Sequence, residues 1–316
     1  MSKYDRKLDQ AARAAWMYYI AGETQQDIAE KLGVSRQVAQ RLVAMASEQG
    51  LVSVHIQHPV ATCMDLAEQL KTRYGLSVCQ VVPAGEHEGQ GLQKMIAVAG
   101  AEVMAQTLRL PQPQIIAVGS GRMLRATIDE LPEFDAPQHS CVSLIGAIAS
   151  DGACTRYDVP LWMAEKTQGR YFILPAPLYA DSAEDRDLWC NHRIYRTVTD
   201  QARRANVMFI GIGNVDAGCP LNVDGFISDP QVERLKQQHV VAEMIGHFIG
   251  EDGKRVASEL DERLTSVTLT PNTGREVIAF AGGKVKHQAI TAVLKGGWIS
   301  GLITDEESAR FALAQL

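Results

Sequence analysis

The chain has no run of eighteen or more apolar residues, and its first ten residues, MSKYDRKLDQ, lack the apolar centre of a signal peptide. Both absences argue against a membrane span or export, so a soluble, cytoplasmic protein is expected. There is no CxxC pair and no Cys/His spacing of the kind a zinc site uses. The six cysteines, at 63, 79, 141, 154, 190 and 219, read as scattered reduced thiols. Bulk charge is equally uninformative. The net charge of −6 divides at residue 58 into a head with seven basic and six acidic residues and a body with 24 and 31. Any footprint on a nucleic acid must therefore come from local placement of a few cations.

What the chain does have is length and pattern. At 316 residues it exceeds one average domain, which predicts a small domain over 1–58 and a large one over 59–316. From Arg6 to Ile20 there is no Gly or Pro, and Leu8, Ala12, Ala15, Trp16 and Tyr19 fall at helical spacing. Thr24 with Asp27 three residues on caps a short second helix, stopped by Gly33. Ser35 caps a third, closed by Gly50, and LVSVHIQ after it has the β-rich look of a strand or wing. Ile28, Ala29 and Leu32 are expected to face Val38, Leu42 and Met45 across the Gly33–Val34 turn, which is the layout of a helix-turn-helix. Its outer side would carry Gln25, Ser35, Arg36, Gln37, Gln40 and Arg41, residue types that pair with guanine, adenine and phosphate in a major groove. The same pattern also suits a three-helix packing unit with a solvated face, or a surface that docks a protein.

PVATCMDLAEQLKTRYG, from Pro59, reads as a helix that either links head to body or opens the body. Beyond it, short apolar runs (SVCQVV, IIAVG, CVSLIGA, YFILPAP, VMFIGIG, VTLTP, VIAFAGG, ISGLI) alternate with helical stretches. This predicts a doubly wound, largely parallel α/β sheet, Rossmann-like, with ligands at the carboxyl ends of its strands. Three glycine-rich strand ends stand out. Gly119, Ser120, Gly121 and Arg122 precede a helix and can cradle an anion, although a GxG turn alone also needs no ligand. Gly211, Gly213, Asn214 and Asp216 offer polar groups to sugar hydroxyls or simply form a turn. Gly283 leads into Lys284, Lys286 and His287 at a helix start, where cations oppose the helix dipole unless an anion is bound; surface lysines are the alternative. Thr304 to Glu307 read as a helix-start capping box without a ligand role.

VIAFAGGKVKHQAITAVLKGGWISGLITDEESARFAL, with VGSGRML, RYFILPAPL, VMFIGIG and VVAEMIGHFIGEDG, resembles the SorC-type (sorbitol-operon-type) sugar-binding transcription regulators over essentially the full length. The resemblance implies a small helix-turn-helix (winged-helix-like) domain before an effector domain similar in fold to ribose-phosphate isomerase and glucosamine-phosphate deaminase. It implies operator DNA and a sugar-phosphate or polyol effector as partners, a homotetramer or homodimer, and no cofactor, metal or catalytic residue. Lys286 matches the family's AGGxxK lysine, expected near the phosphate. Glu243 stands where an effector-binding carboxylate sits, with Ala242–Glu243 in place of the family's Gly–Asp. A sugar-phosphate isomerase or deaminase is the alternative on this fold. GIGNVDAGC, however, lacks the His that would complete an acid/base loop.

Overall fold

The computed structural model describes residues 3–52, 59–84, 89–148 and 159–315. The backbone divides into two compact units, Met1–His58 and Pro59–Leu316.

In the first unit α1 (Lys3–Tyr19), α2 (Gln25–Leu32) and α3 (Arg36–Glu48) surround a small core rich in alanine. Local chemistry sets both short helices. The Thr24 hydroxyl accepts from the Asp27 N–H while the Asp27 carboxylate accepts from the Thr24 N–H, closing a full capping box. Gly33 ends α2 at φ 63, in the left-handed region that glycine enters most easily, and Ser35 caps α3 by accepting from Val38 N–H. Ala29 and Ala39 are buried, which lets α2 and α3 approach closely. The inner face agrees with the sequence reading at Ile28, Ala29, Leu42 and Ala15, with Leu32 and Met45 packed partly against it, and departs from it elsewhere. Ala39, Leu42, Val43 and Ala46 face the core, whereas Val38 is 38% exposed. On α1, Ala11, Ala14 and Ala15 are buried and Trp16 is 60% exposed. Large side chains at helical spacing misled the reading because this core is filled by alanine methyls. The wing expected over LVSVHIQ falls, beyond Val52, outside the described residues.

The second unit opens with α4 (Pro59–Tyr74), which belongs to the body. It packs on β1 (Val78–Val82) and α13 (Glu306–Ala314), with the Tyr74 hydroxyl donating to Ala312 O at 2.9 Å. Between them run α5 (Gln90–Leu108), β2 (Ile115–Val118), α6 (Arg122–Asp129), β3 (Ser140–Ile148), α7 (Val159–Thr167), β4 (Arg170–Pro177), α8 (Ala183–Asn191), α9 (Arg193–Arg203) and β5 (Val207–Gly211). Then come β6 (Gly213–Asn214), α10 (Pro220–Val223), α11 (Asp229–Gln237), β7 (Val240–Met244), β8 (His247–Gly250), β9 (Glu276–Phe280), α12 (His287–Lys295) and β10 (Gly301–Asp305). Seven strands form one parallel sheet in the order β1-β10-β9-β5-β2-β3-β4. Two hydrophobic layers cover it. One holds Leu144, Tyr195, Val198, Ala289 and Val293, the other Ile96, Met104, Leu124, Phe209 and Phe280. From β2 the chain steps outward through β3 and β4, then returns to lay β5 on β2's other side, so the strand order reverses between β2 and β5.

A three-stranded antiparallel sheet, β6-β7-β8, grows directly from the end of β5. Of the predicted strands, VTLTP does not join a ladder; it is an irregular segment whose Val267 N–H donates to Leu144 O. The five described cysteines are free thiols; Cys154 lies outside the described residues.

Candidate effector cleft and DNA-reading face

Where strand order reverses, the loops after neighbouring strands diverge and leave a crevice at their carboxyl ends. The β2 and β5 loops flank it here, and the Gly119 N–H donates to Phe209 O at 2.9 Å to hold the two together. Gly121, at φ 132, turns the chain into α6 and, as glycine, contributes no side-chain cap of its own at the positive dipole end of that helix. Arg122 is the first residue of that helix and is exposed.

Gly213 pairs across the small sheet with Glu243. A Cβ at position 213 would stand 2.6 Å from Glu243 Oε2, so glycine there makes room for the carboxylate. Glu243 Oε1 accepts the Gly246 N–H at 2.5 Å. The β7–β8 turn is two residues long, with Ile245 at φ 45 and Gly246 at φ 88, the sign pattern of a type I′ hairpin turn. A β-branched residue at positive φ is strained and persists only where packing holds it. Ile245 is buried against the Gly119 position, and the Tyr179 hydroxyl donates to Gly246 O at 3.1 Å.

From the end of β9, a single 3-10 turn over Lys284–Lys286 carries Lys286 back toward β5, where its ammonium donates to Ile212 O at 2.5 Å. Burial, reinforced by nearby Arg122, lowers the Lys286 pKa to about 8 against the pull of Glu243. Burial raises that of Glu243, countered by the Gly246 N–H and by Lys286. Two cations and a carboxylate thus lie within electrostatic reach of one another at the strand ends, with Lys286 and Glu243 partly buried. An oxyanion there would relieve the crowding of Arg122 and Lys286, and Glu243 can accept from hydroxyls.

The structure therefore brings Gly119, Ser120, Gly121, Arg122, Gly211, Gly213, Glu243 and Lys286 together. Asn214 sits beside them on β6, paired with Ala242, and its side chain leans to the exposed Asp216 at 3.5 Å. Gly283 is a neighbour of a different kind. Its N–H donates to Asp305 Oδ2 at 2.7 Å, and its O accepts from Lys286 N–H, so it shapes the loop that carries Lys286. The sequence reading placed Asp305 in a capping box but did not foresee its bond to Gly283. The helix cap at this point is Asp305, one residue beyond the Thr304 position of the expected box, and it accepts from both the N–H and hydroxyl of Ser308 while anchoring Gly283. One buried carboxylate ties α13 to the AGG loop. Ile245 and Tyr179 were also missed, since nothing local in the sequence marks a strained turn or its distant anchor.

In the other unit, Arg36, Gln37, Gln40 and Arg41 are exposed on α3; Gln25 is half-buried at the start of α2, and Ser35 is engaged in its cap.

Residues 58–314 match the family model described as "Putative sugar-binding domain". The erythritol catabolism regulatory protein EryD of Brucella abortus is 36% identical over 96% of both chains. The transcriptional regulator LsrR of Klebsiella pneumoniae is 30% identical over 96% of this chain and 92% of its own. In fold, the full-length sorbitol operon regulator SorC of Klebsiella pneumoniae superposes with a TM-score of 0.72 at 24% identity, covering 97% of this chain and 99% of that one. These relatives are named as regulators, not enzymes, and no described helix is long and apolar enough to cross a membrane. The chain belongs to the SorC-type family of sugar-binding transcriptional regulators.

Proposed function

We propose that this regulator controls a carbohydrate or polyol catabolic operon from the cytoplasm, as a homodimer or homotetramer, with residues 1–58 on operator DNA and residues 59–316 sensing a phosphorylated sugar or polyol. The convergence of Lys286 and Arg122, the first residue of α6, with Glu243 carries this reading, because it pairs an anion subsite with a hydroxyl acceptor. The relative named for erythritol catabolism points to a short polyol as the skeleton. The DNA side rests on Arg36, Gln37, Gln40 and Arg41, exposed on α3, with Gln25 and Ser35 at the adjoining helix starts as further contacts. The effector acts by binding one state of the protein more tightly, so operator and effector change each other's affinity by the same factor.

A thermal-shift screen of phosphorylated and unphosphorylated sugars and polyols, repeated with Lys286→Ala, tests the sensor. Stabilisation by a phosphorylated compound, lost in the variant and without turnover, is the expected result. Stabilisation only by unphosphorylated compounds removes the phosphate role of Lys286, and turnover brings back the isomerase or deaminase alternative.

A further inference from the structure

Asp305, at the carboxyl end of β10, is 1% exposed. Three uncharged donors meet its carboxylate: Ser308 N–H on Oδ1 at 2.9 Å, and on Oδ2 the Ser308 hydroxyl at 2.6 Å and Gly283 N–H at 2.7 Å. A helix cap alone does not require this. Ser and Asn cap as well as Asp and avoid the cost of burying a charge, so a carboxylate kept here among neutral donors answers a second demand. That demand is the AGG loop. Oδ2 reaches the loop because position 282 has no side chain; a Cβ there would collide with this oxygen and with Ile96 Cδ1. Gly283, at φ 92, then accepts the Lys286 N–H on its carbonyl at 2.9 Å, closing the turn that ends in Lys286. Val285, in the middle of that turn, is 74% exposed, so the turn is held at its ends. Helix α13 supplies a hold on each side. Its cap, Asp305, holds Gly283, and the ring of Phe311 lies 4.9 Å from that of His287, the residue after Lys286.

We propose that Asp305 is a positioning residue of the effector site, whose Oδ2 fixes the backbone of the Gly282–Lys286 loop and thereby the place of the Lys286 ammonium. Its bearing on ligand binding rests on the sensing role proposed above for Lys286; its bearing on the lysine itself does not. A lysine head on a flexible four-carbon stem is localised only when its base is fixed and its tip is bonded. The tip is bonded to Ile212 O at the end of β5, and the base is fixed through Gly283. With the base loose, the ammonium swings towards water, where its charge is better solvated than in the buried position beside Arg122. A carboxylate suits this joint better than an amide, because two N–H groups from different segments and a hydroxyl are accepted at once. An amide has one accepting oxygen and turns its NH2 towards one of the three donors.

The test is Asp305→Asn in the full chain, with Asp305→Ser as a second variant and Ser308→Ala as control. Asn keeps the α13 cap with its one accepting oxygen, and the shorter Ser caps without reaching Gly283. Ser308→Ala removes a hydroxyl but leaves the Gly283 bond in place. The first readout needs no ligand. Competitive acetylation by acetic anhydride over a pH series, read at Lys286 by mass spectrometry, gives the titration midpoint of that lysine. We expect about 8 in wild type and in Ser308→Ala. In both Asp305 variants the midpoint should stand higher by about one pH unit or more, towards 10.5, because leaving burial and Arg122 outweighs losing the pull of Glu243. The second readout is calorimetry with glycerol phosphate, where both Asp305 variants should bind roughly tenfold more weakly and Ser308→Ala as wild type does. An unchanged midpoint in the Asp305 variants overturns the proposal and leaves Asp305 a helix cap, as does an equal shift in Ser308→Ala. Loss of a cooperative melt in both Asp305 variants also overturns it, assigning the carboxylate to the core. So does glycerol phosphate binding that Lys286→Ala weakens and neither Asp305 variant does. If Lys286→Ala and wild type bind the ester alike, or neither binds it, the phosphate reading of Lys286 falls, while the midpoint still decides the role of Asp305.

Discussion

On α3 the four side chains assigned to DNA stand in solvent on a helix fixed by small residues behind it. At the switch point of the sheet, Lys286 and Glu243 are partly buried and each is bonded to backbone. The first surface separates reading from folding: its polar side chains can change while Ala39, Leu42 and Ala46 keep the helix in place. In the second, the groups that would meet the ligand also hold the hairpin and the β5 end, so recognition and local structure share atoms. Substitutions should divide accordingly between pure binding effects and mixed ones.

The largest expected effect is Lys286→Ala, which removes the buried ammonium and lowers affinity for a phosphorylated effector by roughly 100- to 1,000-fold. Calorimetry of effector binding together with operator binding by the same sample checks it; equal loss of operator binding would erase the distinction between the two surfaces. Arg36→Ala with Arg41→Ala should weaken operator binding by roughly 100-fold and reduce the salt slope by about 1 to 2, with melting temperature unchanged. A large drop in melting temperature would show that the open face of α3 is not independent of its fold.

Proton linkage sharpens the contrast. Lys286 is held near pKa 8, below its ordinary 10.5, so its charged form is disfavoured in the folded protein. Between about pH 8 and 10.5 the unfolded chain binds more protons at this residue, and its contribution to stability rises with pH. A bound oxyanion prefers the ammonium, so effector affinity runs the other way. It is full below pH 8 and falls by up to about tenfold per unit above it, a trend that calorimetry from pH 7 to 9.5 would read. A flat profile would detach Lys286 from the ligand. The smallest effect expected is Ser35→Ala, which deletes the α3 cap and costs about 1 kcal/mol of stability in the first unit, measured by thermal or urea unfolding.

Legibility in the sequence followed the range of the interactions. Helix starts at Thr24 and Ser35, the stop at Gly33 and the parallel strands could be read because neighbours within four residues determine them. The glycine loops after β2 and β9 could be read as strand-to-helix turns because such a turn advertises itself locally. The small sheet could not be foreseen as strands, since VVAEMIGHFIG shows no simple alternation, and its turn places Ile, a residue that ordinarily avoids positive φ, where Asn or Gly is expected. Asp305 was legible as a helix cap but not as the anchor of Gly283, which lies 22 residues away. VTLTP has β-branched residues yet passes over the sheet without joining it, because its Val267 bonds to a carbonyl of β3 outside the ladder.

The close approach of Gly213 and Glu243 has a consequence for the space beside them. Position 213 has no side chain and position 243 has a long one, and the missing volume on one strand is the volume filled from the other. A side chain added at 213 would displace the carboxylate end of Glu243, and where Glu243 meets the effector as proposed, the two positions would together set the space left for it.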